Sequence, residues 1–428
     1  MKRFLILALA ILCLSQLAFA QVNTDLKGTI TCWTWTAKAI QFITPEFQKM
    51  YPNINVDVTP MSWGDAHDKV FVAIASGSGA PDLLTIDSSY IQKFIEQGGL
   101  VDLSSFIDKV RAKFPAYKIA NDSDSSGHVF GVPFDCGPVG YYYQKGLVDK
   151  YKIALPDTWS QFITLGKQLK SKGISMTTVS IAAAAMDQSM HGEVGLHGLL
   201  TQQQGGAYFD ADNKPILDSK ESVAAMRLIK QMVDAGVAAN VEQGSPAYYD
   251  MYNKGQVLGV ISAAWYVNVL NNFVTQDMPQ FGNWRVAKMP AFKAGGVRAS
   301  NLGGSELAIA TQTSDDQQKL AMAFIEFACA SLDGAKAHAD YGEFPAYMPA
   351  WPTDIVQNKT FPMLGDQKVY KLFAQITAQV PATWRIPTQY TQIQSILQAK
   401  MNAILTSKVT VEKGLEQAQA EAIAAVSK

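Results

Sequence analysis

Between Thr29 and Asp87 the chain alternates strand, helix, strand, helix, strand, and this alternation restricts the fold more than any other feature. Thr29-Ile30-Thr31-Cys32-Trp33 is a β-favouring run, and a helical pattern follows from Ala37 to Tyr51, with a kink or restart expected at Thr44-Pro45-Glu46. Pro52-Asn53 turns the chain into the alternating segment Ile54–Val58. The helical stretch Asp65–Ala75 then leads through a Gly-rich turn to a third strand, Leu83–Asp87. Crossovers of this length join parallel neighbours. In such open sheets ligands collect off the carboxyl ends of the strands. Trp33, Trp35, Thr36, Trp63 and Asp87 fall at or near those ends. Indole planes beside a carboxylate suit a sugar, whose C–H faces stack and whose hydroxyls donate; the same indoles would serve equally well as core.

At 428 residues the chain is long enough for about two domains. Lys and Arg number 36 against 37 Asp and Glu, a balance that favours neither a nucleic acid nor an anionic membrane surface as partner. Lys2 and Arg3 precede the apolar run Phe4–Leu14, and Ala18-Phe19-Ala20 offers small residues where a signal peptidase reads. Export is therefore expected, with residues 1–20 a signal peptide and the mature chain starting at Gln21. Cys13 has no small residue just before it and reads as part of the apolar run, not as a lipid anchor. Cys32, Cys136 and Cys329 remain; three cannot all pair, and no C-x-x-C is present to hold zinc. A Cys32–Cys136 bridge would require those segments to meet at a hinge; otherwise all three are small buried residues.

Further along, Gly127–Asp135 reads as a strand ending in a carboxylate, and Tyr141-Tyr142-Tyr143 as another whose side chains alternate between faces. Thr158 is a candidate cap for a helix reaching Lys172, and Asp218 for one reaching Ala235. Val257–Ala263 has the apolar run of a buried parallel strand and delivers Trp265 at its carboxyl end. Gly303-Gly304-Ser305 precedes the strand Glu306–Ala310, and paired glycines let backbone amides approach closely. Glu343 and Tyr347 flank the irregular Pro345, and Trp384-Arg385 is held between Pro381 and Pro387, where Arg385 is either a donor to vicinal hydroxyls or a surface ion-pair partner. No G-x-S-x-G elbow, phosphate loop or H-E-x-x-H pattern occurs, and His191 and His197 are poorly spaced for one helix face. Asp87, Asp135 and Glu343 leave a two-carboxylate glycosidase open by residue type alone.

The ordered segments "yPNInV", "aiaSGsgaPDlltiD", "GhvfGVPfd", "iaLPdTWsqF", "nkGqvlgvisaaW", "NWrVakmPaf", "GGSelAIa" and "aqvPatWR" resemble extracellular solute-binding proteins of the carbohydrate-uptake ABC transporters, the group that contains maltose-binding protein. The likeness covers nearly all of the mature chain. It implies an α/β, two-lobed periplasmic-binding-protein fold of type II, each lobe a mixed sheet flanked by helices, with three hinge crossings. Residues 21–133 with 291–340 would form the first lobe and 134–290 with 341–428 the second. A neutral sugar would lie between them, touching Trp33, Trp35, Thr36, Trp63, Asp87, Asp135, Trp265, Gly303, Gly304, Ser305, Glu343, Tyr347, Trp384 and Arg385. The resemblance further implies a periplasmic monomer that is not an enzyme, uses no cofactor or metal, and delivers its ligand to inner-membrane permease subunits. A polyamine or an anionic metabolite is the alternative ligand.

Overall fold

The computed structural model describes residues 22–181 and 193–426; the export segment expected over 1–20 and His191 lie outside them. Ten strands build three sheets among the described residues. In chain order they are β1 (Gly28–Thr34), β2 (Ile54–Pro60), β3 (Leu83–Asp87), β4 (Val132–Pro133), β5 (Val139–Gln144), β6 (Thr177–Val179), β7 (Ala238–Asn240), β8 (Gly259–Ala263), β9 (Trp284–Lys288) and β10 (Ser305–Ile309).

The first lobe is centred on a five-stranded sheet in the order β2-β1-β3-β10-β4. β1 is parallel to β2 and β3, as the long crossovers require, while β10 runs antiparallel to β3 with Ser305 opposite Asp87. All five residues of β3 are buried, so the sheet ends in a carboxylate held at the edge of the core. The helix Ala37–Met50 runs through Pro45 without a break: it buries Ile40, Ile43 and Phe47, and the Thr44 hydroxyl donates to the Ile40 carbonyl at 2.8 Å. Ser62 caps the helix Trp63–Ala75 by accepting from the Asp65 amide. Only Val132–Pro133 of the strand expected over Gly127–Asp135 joins the ladder, since β10 offers just two partners there and Pro133 has no N–H to donate.

A three-stranded antiparallel sheet, β8-β5-β9, with the small parallel pair β6-β7, centres the second lobe. The apolar run ending in β8 is thus antiparallel to β5, not a parallel strand, although Val257 just before it bridges Ser175 in parallel. Tyr141 and Tyr142 point to opposite faces of β5 and feed different cores: the Tyr141 hydroxyl donates to the Met176 carbonyl and that of Tyr142 to the Ala263 carbonyl, each at 2.7 Å. Thr158 and Gln161 form a complete capping box on the helix Trp159–Lys170. Ser219, rather than Asp218, caps Lys220–Asp234.

The chain passes between lobes in segments that lie side by side. Asp135 bridges Pro345, Pro138 bridges Asn301, and the Cys136 amide donates to the Phe344 carbonyl at 3.0 Å. At Gly137 a Cβ would fall 2.0 Å from the Leu302 carbonyl oxygen, so only glycine allows this approach. Near the expected return at Ala291, Ala291 pairs with Thr158 and Phe292 packs near Trp159. Cys32, Cys136 and Cys329 are all buried free thiols, so the Cys32–Cys136 bridge is not formed. Among the described residues no helix is long and apolar enough to cross a membrane.

Candidate ligand-binding groove

Two adjoining cavities make one groove between the lobes. The inner cavity, about 60 Å³, reaches back to Asn301, Leu302 and Gly303 of the hinge. The outer one, about 510 Å³, opens at Ser125 and Asn213. Tyr117, Asn121, Trp384 and Ile386 line both. The inner volume is far below the ~300–1,000 Å³ typical of ligand pockets.

The first-lobe wall is polar. β3 delivers Asp87, and the turn after it adds Ser88 and Ser89. Asp87 Oδ1 accepts from the Ser89 amide at 2.8 Å and from its hydroxyl at 2.5 Å, while no described residue donates to Oδ2. The Asp87 amide donates to His67 Nε2 at 3.0 Å, and His67 Nδ1 lies 2.7 Å from the Trp63 carbonyl. A carbonyl can only accept, so Nδ1 carries the proton and His67 is the neutral tautomer. Burial lowers its pKa in spite of the opposing pull of Asp87.

Behind this wall the buried Lys118 ammonium donates to Ser88 Oγ at 2.7 Å and pairs with Glu306. Burial pulls Lys118 down, but Glu306, Asp122 and Asp135 push it up by more, so it stays charged. Burial, with the Glu306 charge added, holds Asp122 well above the usual carboxyl range, while Lys118 opposes this. The ammonium is thus spoken for, and the helix Ala116–Asn121 that carries it presents Tyr117 and Asn121 to the groove. Asn121 donates from Nδ2 to the Ser88 carbonyl at 2.9 Å, whereas its buried Oδ1 accepts from no described residue.

The second-lobe wall is flatter and more apolar. Trp384 and Ile386 come from the loop between helices, Tyr390 from the start of the helix Tyr390–Leu405, and Gly198, Leu199 and Gln202 from the helix Glu193–Gln203. Trp384 packs on Tyr208 at 4.7 Å between ring centroids, and a Cβ at Gly198 would lie 3.2 Å from its ring. His197, on the same helix, is fully buried. Its Nε2 donates to the Ser222 carbonyl at 2.9 Å and its Nδ1 accepts from the Tyr208 hydroxyl at 2.8 Å. Burial lowers its pKa to about 4. Burial raises the Tyr390 pKa; a hydrogen bond with Trp384 opposes this, and the Asp87 charge across the groove adds to it.

Of the residues expected at the site, Asp87, Gly303, Trp384 and Arg385 line the groove. Gly304, at φ 111°, passes close to Lys118 and to the Asp135 carbonyl, where a Cβ would meet them at 2.9 and 3.0 Å. Ser305 binds Asp135 Oδ1 through its amide at 2.6 Å and its hydroxyl at 2.5 Å, so both sit behind the floor. Trp265 donates its indole N–H to the Leu302 carbonyl at 3.1 Å and supports the floor from beneath.

The first-lobe indoles pack elsewhere. Trp35 and Trp63 lie 4.9 and 4.8 Å from the His67 ring, which stacks on Tyr90 at 4.3 Å, and Trp33 packs on the small apolar cluster beyond β3. Thr36 is bonded to Thr34, Glu343 to the buried His338 at 2.7 Å, and Tyr347 packs against Phe114. These residues are not among the described ones lining the groove. Ser88, Lys118, Asn121, Gln202, Tyr390 and Gln394 were missed. Ser88 directly follows the strand end that yields Asp87, so the same position rule covers it, but nothing in the helical sequence around Gln202 or Gln394 marks a groove face.

A family model described as bacterial extracellular solute-binding protein matches residues 33–330. An arabinooligosaccharide-binding protein of Bacillus subtilis is 26% identical over 78% of this chain and 78% of its own. A lactose-binding protein of Rhizobium radiobacter is 27% identical over 88% of this chain and 86% of its own. Among solved structures, an ABC transporter associated binding protein from B. animalis subsp. lactis, in complex with β-1,6-galactobiose, superposes with a TM-score of 0.77. That match is 21% identical and covers 92% of this chain and 96% of that one. A maltose-bound protein of T. maritima gives 0.74 at 21% identity, over 92% of this chain and 98% of its own.

Proposed function

The chain belongs to the family of bacterial extracellular solute-binding proteins, and from that premise we propose that it is the receptor of an ABC importer for a neutral sugar. The observation that carries the reading is the pairing of unlike walls. The Trp384 plate lies across the groove from a carboxylate oxygen and serine hydroxyls, as a molecule with apolar faces and hydroxyl edges requires. The groove's ammonium is engaged by Ser88 and Glu306, which leaves little for an anion. Asp87 is the only carboxylate among the described lining of the inner cavity, fewer than a polyamine would call for.

Capture without turnover fits the carboxylates. Hydrolysis of a glycoside takes two flanking the scissile bond. Asp135 is held by Ser305 and Glu343 by His338, away from the groove lining. The ligand works by binding the closed arrangement better than the open one, because only a difference in affinity moves such an equilibrium. The closed monomer then offers its surface to membrane permease subunits, the partners expected of this family. Processing after Ala20, without a lipid anchor, would release it into the periplasm, and the intact mass of the exported protein checks this. A thermal-shift screen with mono- and oligosaccharides, polyamines and amino acids tests the ligand class, since a ligand of the native state raises the melting point. Selective shifts by sugars are expected; shifts by polyamines or organic anions alone would overturn the reading.

A further inference from the structure

Beneath the first-lobe wall, carboxylate oxygens meet without a donor between them. Asp122 Oδ1, Asp122 Oδ2 and Glu306 Oε2 are buried and accept from no described residue, although the two carboxyl groups lie in hydrogen-bonding contact with each other. Two carboxylates cannot satisfy one another, because each only accepts; a single proton makes one of them a donor. Both side chains are fully buried, where an unmatched charge is costly.

The surrounding groups say which of the two holds the proton. Facing the pair are Lys118, Asp87, Asp135, Tyr117, Cys136 and Cys329. Lys118 is the one cation among them, and its ammonium is bound to Glu306 Oε1, to Ser88 Oγ at 2.7 Å and to the Ser305 carbonyl at 3.4 Å. That contact favours an ionised Glu306. Asp135 is occupied by Ser305, and Asp122 stands at the C-terminal end of the helix Ala116–Asn121, where unpaired carbonyls disfavour a further negative charge.

We propose that Asp122 is a positioning residue of the groove wall: it is a carboxylic acid in the folded protein, and its O–H donates to Glu306 Oε2 and fixes the chain Glu306–Lys118–Ser88. Ser88 is where this chain meets the groove. The Ser88 amide donates to the Gly304 carbonyl of the hinge at 3.0 Å, and the Ser88 hydroxyl lies 2.7 Å from Glu306 Oε1. Loss of the proton would set two buried negative charges against one ammonium and loosen that hold. The arrangement belongs to the wall itself and is independent of the ligand the groove takes.

Folding then takes up a proton. Above the ordinary carboxyl value of 3.8 the unfolded Asp122 is ionised and the folded one is not, so this residue's contribution to stability falls as pH rises, until the folded group itself ionises. Asp122→Asn keeps a neutral donor and abolishes the titration. In urea unfolding its folding constant, relative to that of the unsubstituted protein, should rise about tenfold per pH unit between about pH 5 and 7. At neutral pH the infrared spectrum of the unsubstituted protein should hold a carboxylic-acid carbonyl band that shifts on isotope labelling of aspartate and is missing from the Asn variant. Hydrogen exchange at the Ser88 amide should quicken by about tenfold or more in Asp122→Leu, which has no donor, and stay slow in Asp122→Asn. A ratio of folding constants that does not change with pH would overturn the proposal, as would a spectrum of the unsubstituted protein without the aspartic-acid band, or fast Ser88 exchange in the Asn variant. An Asn variant that fails to fold while Glu306→Gln folds would put the proton on Glu306 and overturn it too. The band of the unsubstituted protein can be read whether or not either variant folds. Failure on any of these counts leaves the sugar-receptor reading standing, since none of them uses a ligand.

Discussion

Asp87, Ser88, Ser89 and Asn121 on one side of the groove, and Trp384, Ile386 and Tyr390 on the other, form two walls of unlike chemistry. The first-lobe wall is a set of short side chains fixed at the end of a buried strand, and it acts through directional hydrogen bonds. The second-lobe wall is two rings, Trp384 and Tyr390, with the aliphatic Ile386 between them in sequence, and it offers contact area. The supports differ in the same way. An ion pair, Lys118–Glu306, lies under the polar wall, whereas a neutral histidine, His197, holds Tyr208 behind the aromatic one. For the sugar proposed above, direction would select which hydroxyls are accepted, and area would supply affinity for a sugar face.

The largest effect expected from separating the two supports is on the first lobe. Lys118→Met leaves the fully buried Glu306 without its counter-charge, which should cost about 3–5 kcal/mol of stability in urea unfolding. Next comes acid. His197 takes up no proton in the folded state until about pH 4, whereas the unfolded chain binds one below its ordinary value of 6.5. The unfolded state therefore holds more protons between those values, and stability falls as pH drops from 6.5 towards 4. The fall should reach about 3 kcal/mol from this residue. The lowered pKa of His67 adds to it with the same sign. His197→Gln should flatten that limb of the stability profile while leaving the first-lobe support untouched.

Effects on binding come below these. Trp384→Ala removes the plate of the area-based wall and should cost about 2–3 kcal/mol, some 30- to 150-fold in Kd, for every sugar that binds. Asp87→Asn should cost less, about 1.5 kcal/mol, and unevenly across sugars, because it removes one charged acceptor with a fixed direction. If both variants lost affinity uniformly, the division between direction and area would be wrong. Smallest of all, Trp265→Phe removes the donor to the Leu302 carbonyl, an effect of about 1 kcal/mol.

The same contrast explains what could be read from the sequence. The βαβαβ start was legible because crossover length dictates parallel pairing, and Asp87 followed because it ends the third strand. Thr158 was legible as a cap because the signal is local, and the structure adds Gln161 to complete the box. Partner direction was not: the apolar run before Trp265 looks the same whether its neighbour runs parallel or antiparallel. The packing of the indoles was not legible for a related reason. Trp35 and Trp63 sit near strand ends as expected, but they turn to His67 and Tyr90, a choice made by tertiary packing. Lys118 and Gln202 are polar residues on helices, where sequence gives a face but not what the face meets.

The central claim is that both walls close on the same sugar, and an interlobe distance tests it most directly. Ser125 and Asn213 are exposed on opposite rims, and the native thiols are buried, so spin labels at Ser125→Cys and Asn213→Cys report the opening without interference. Saturating sugar should shorten and narrow the distance distribution, and putrescine should leave it unchanged. A distribution that stays the same when calorimetry shows the sugar bound would contradict the account.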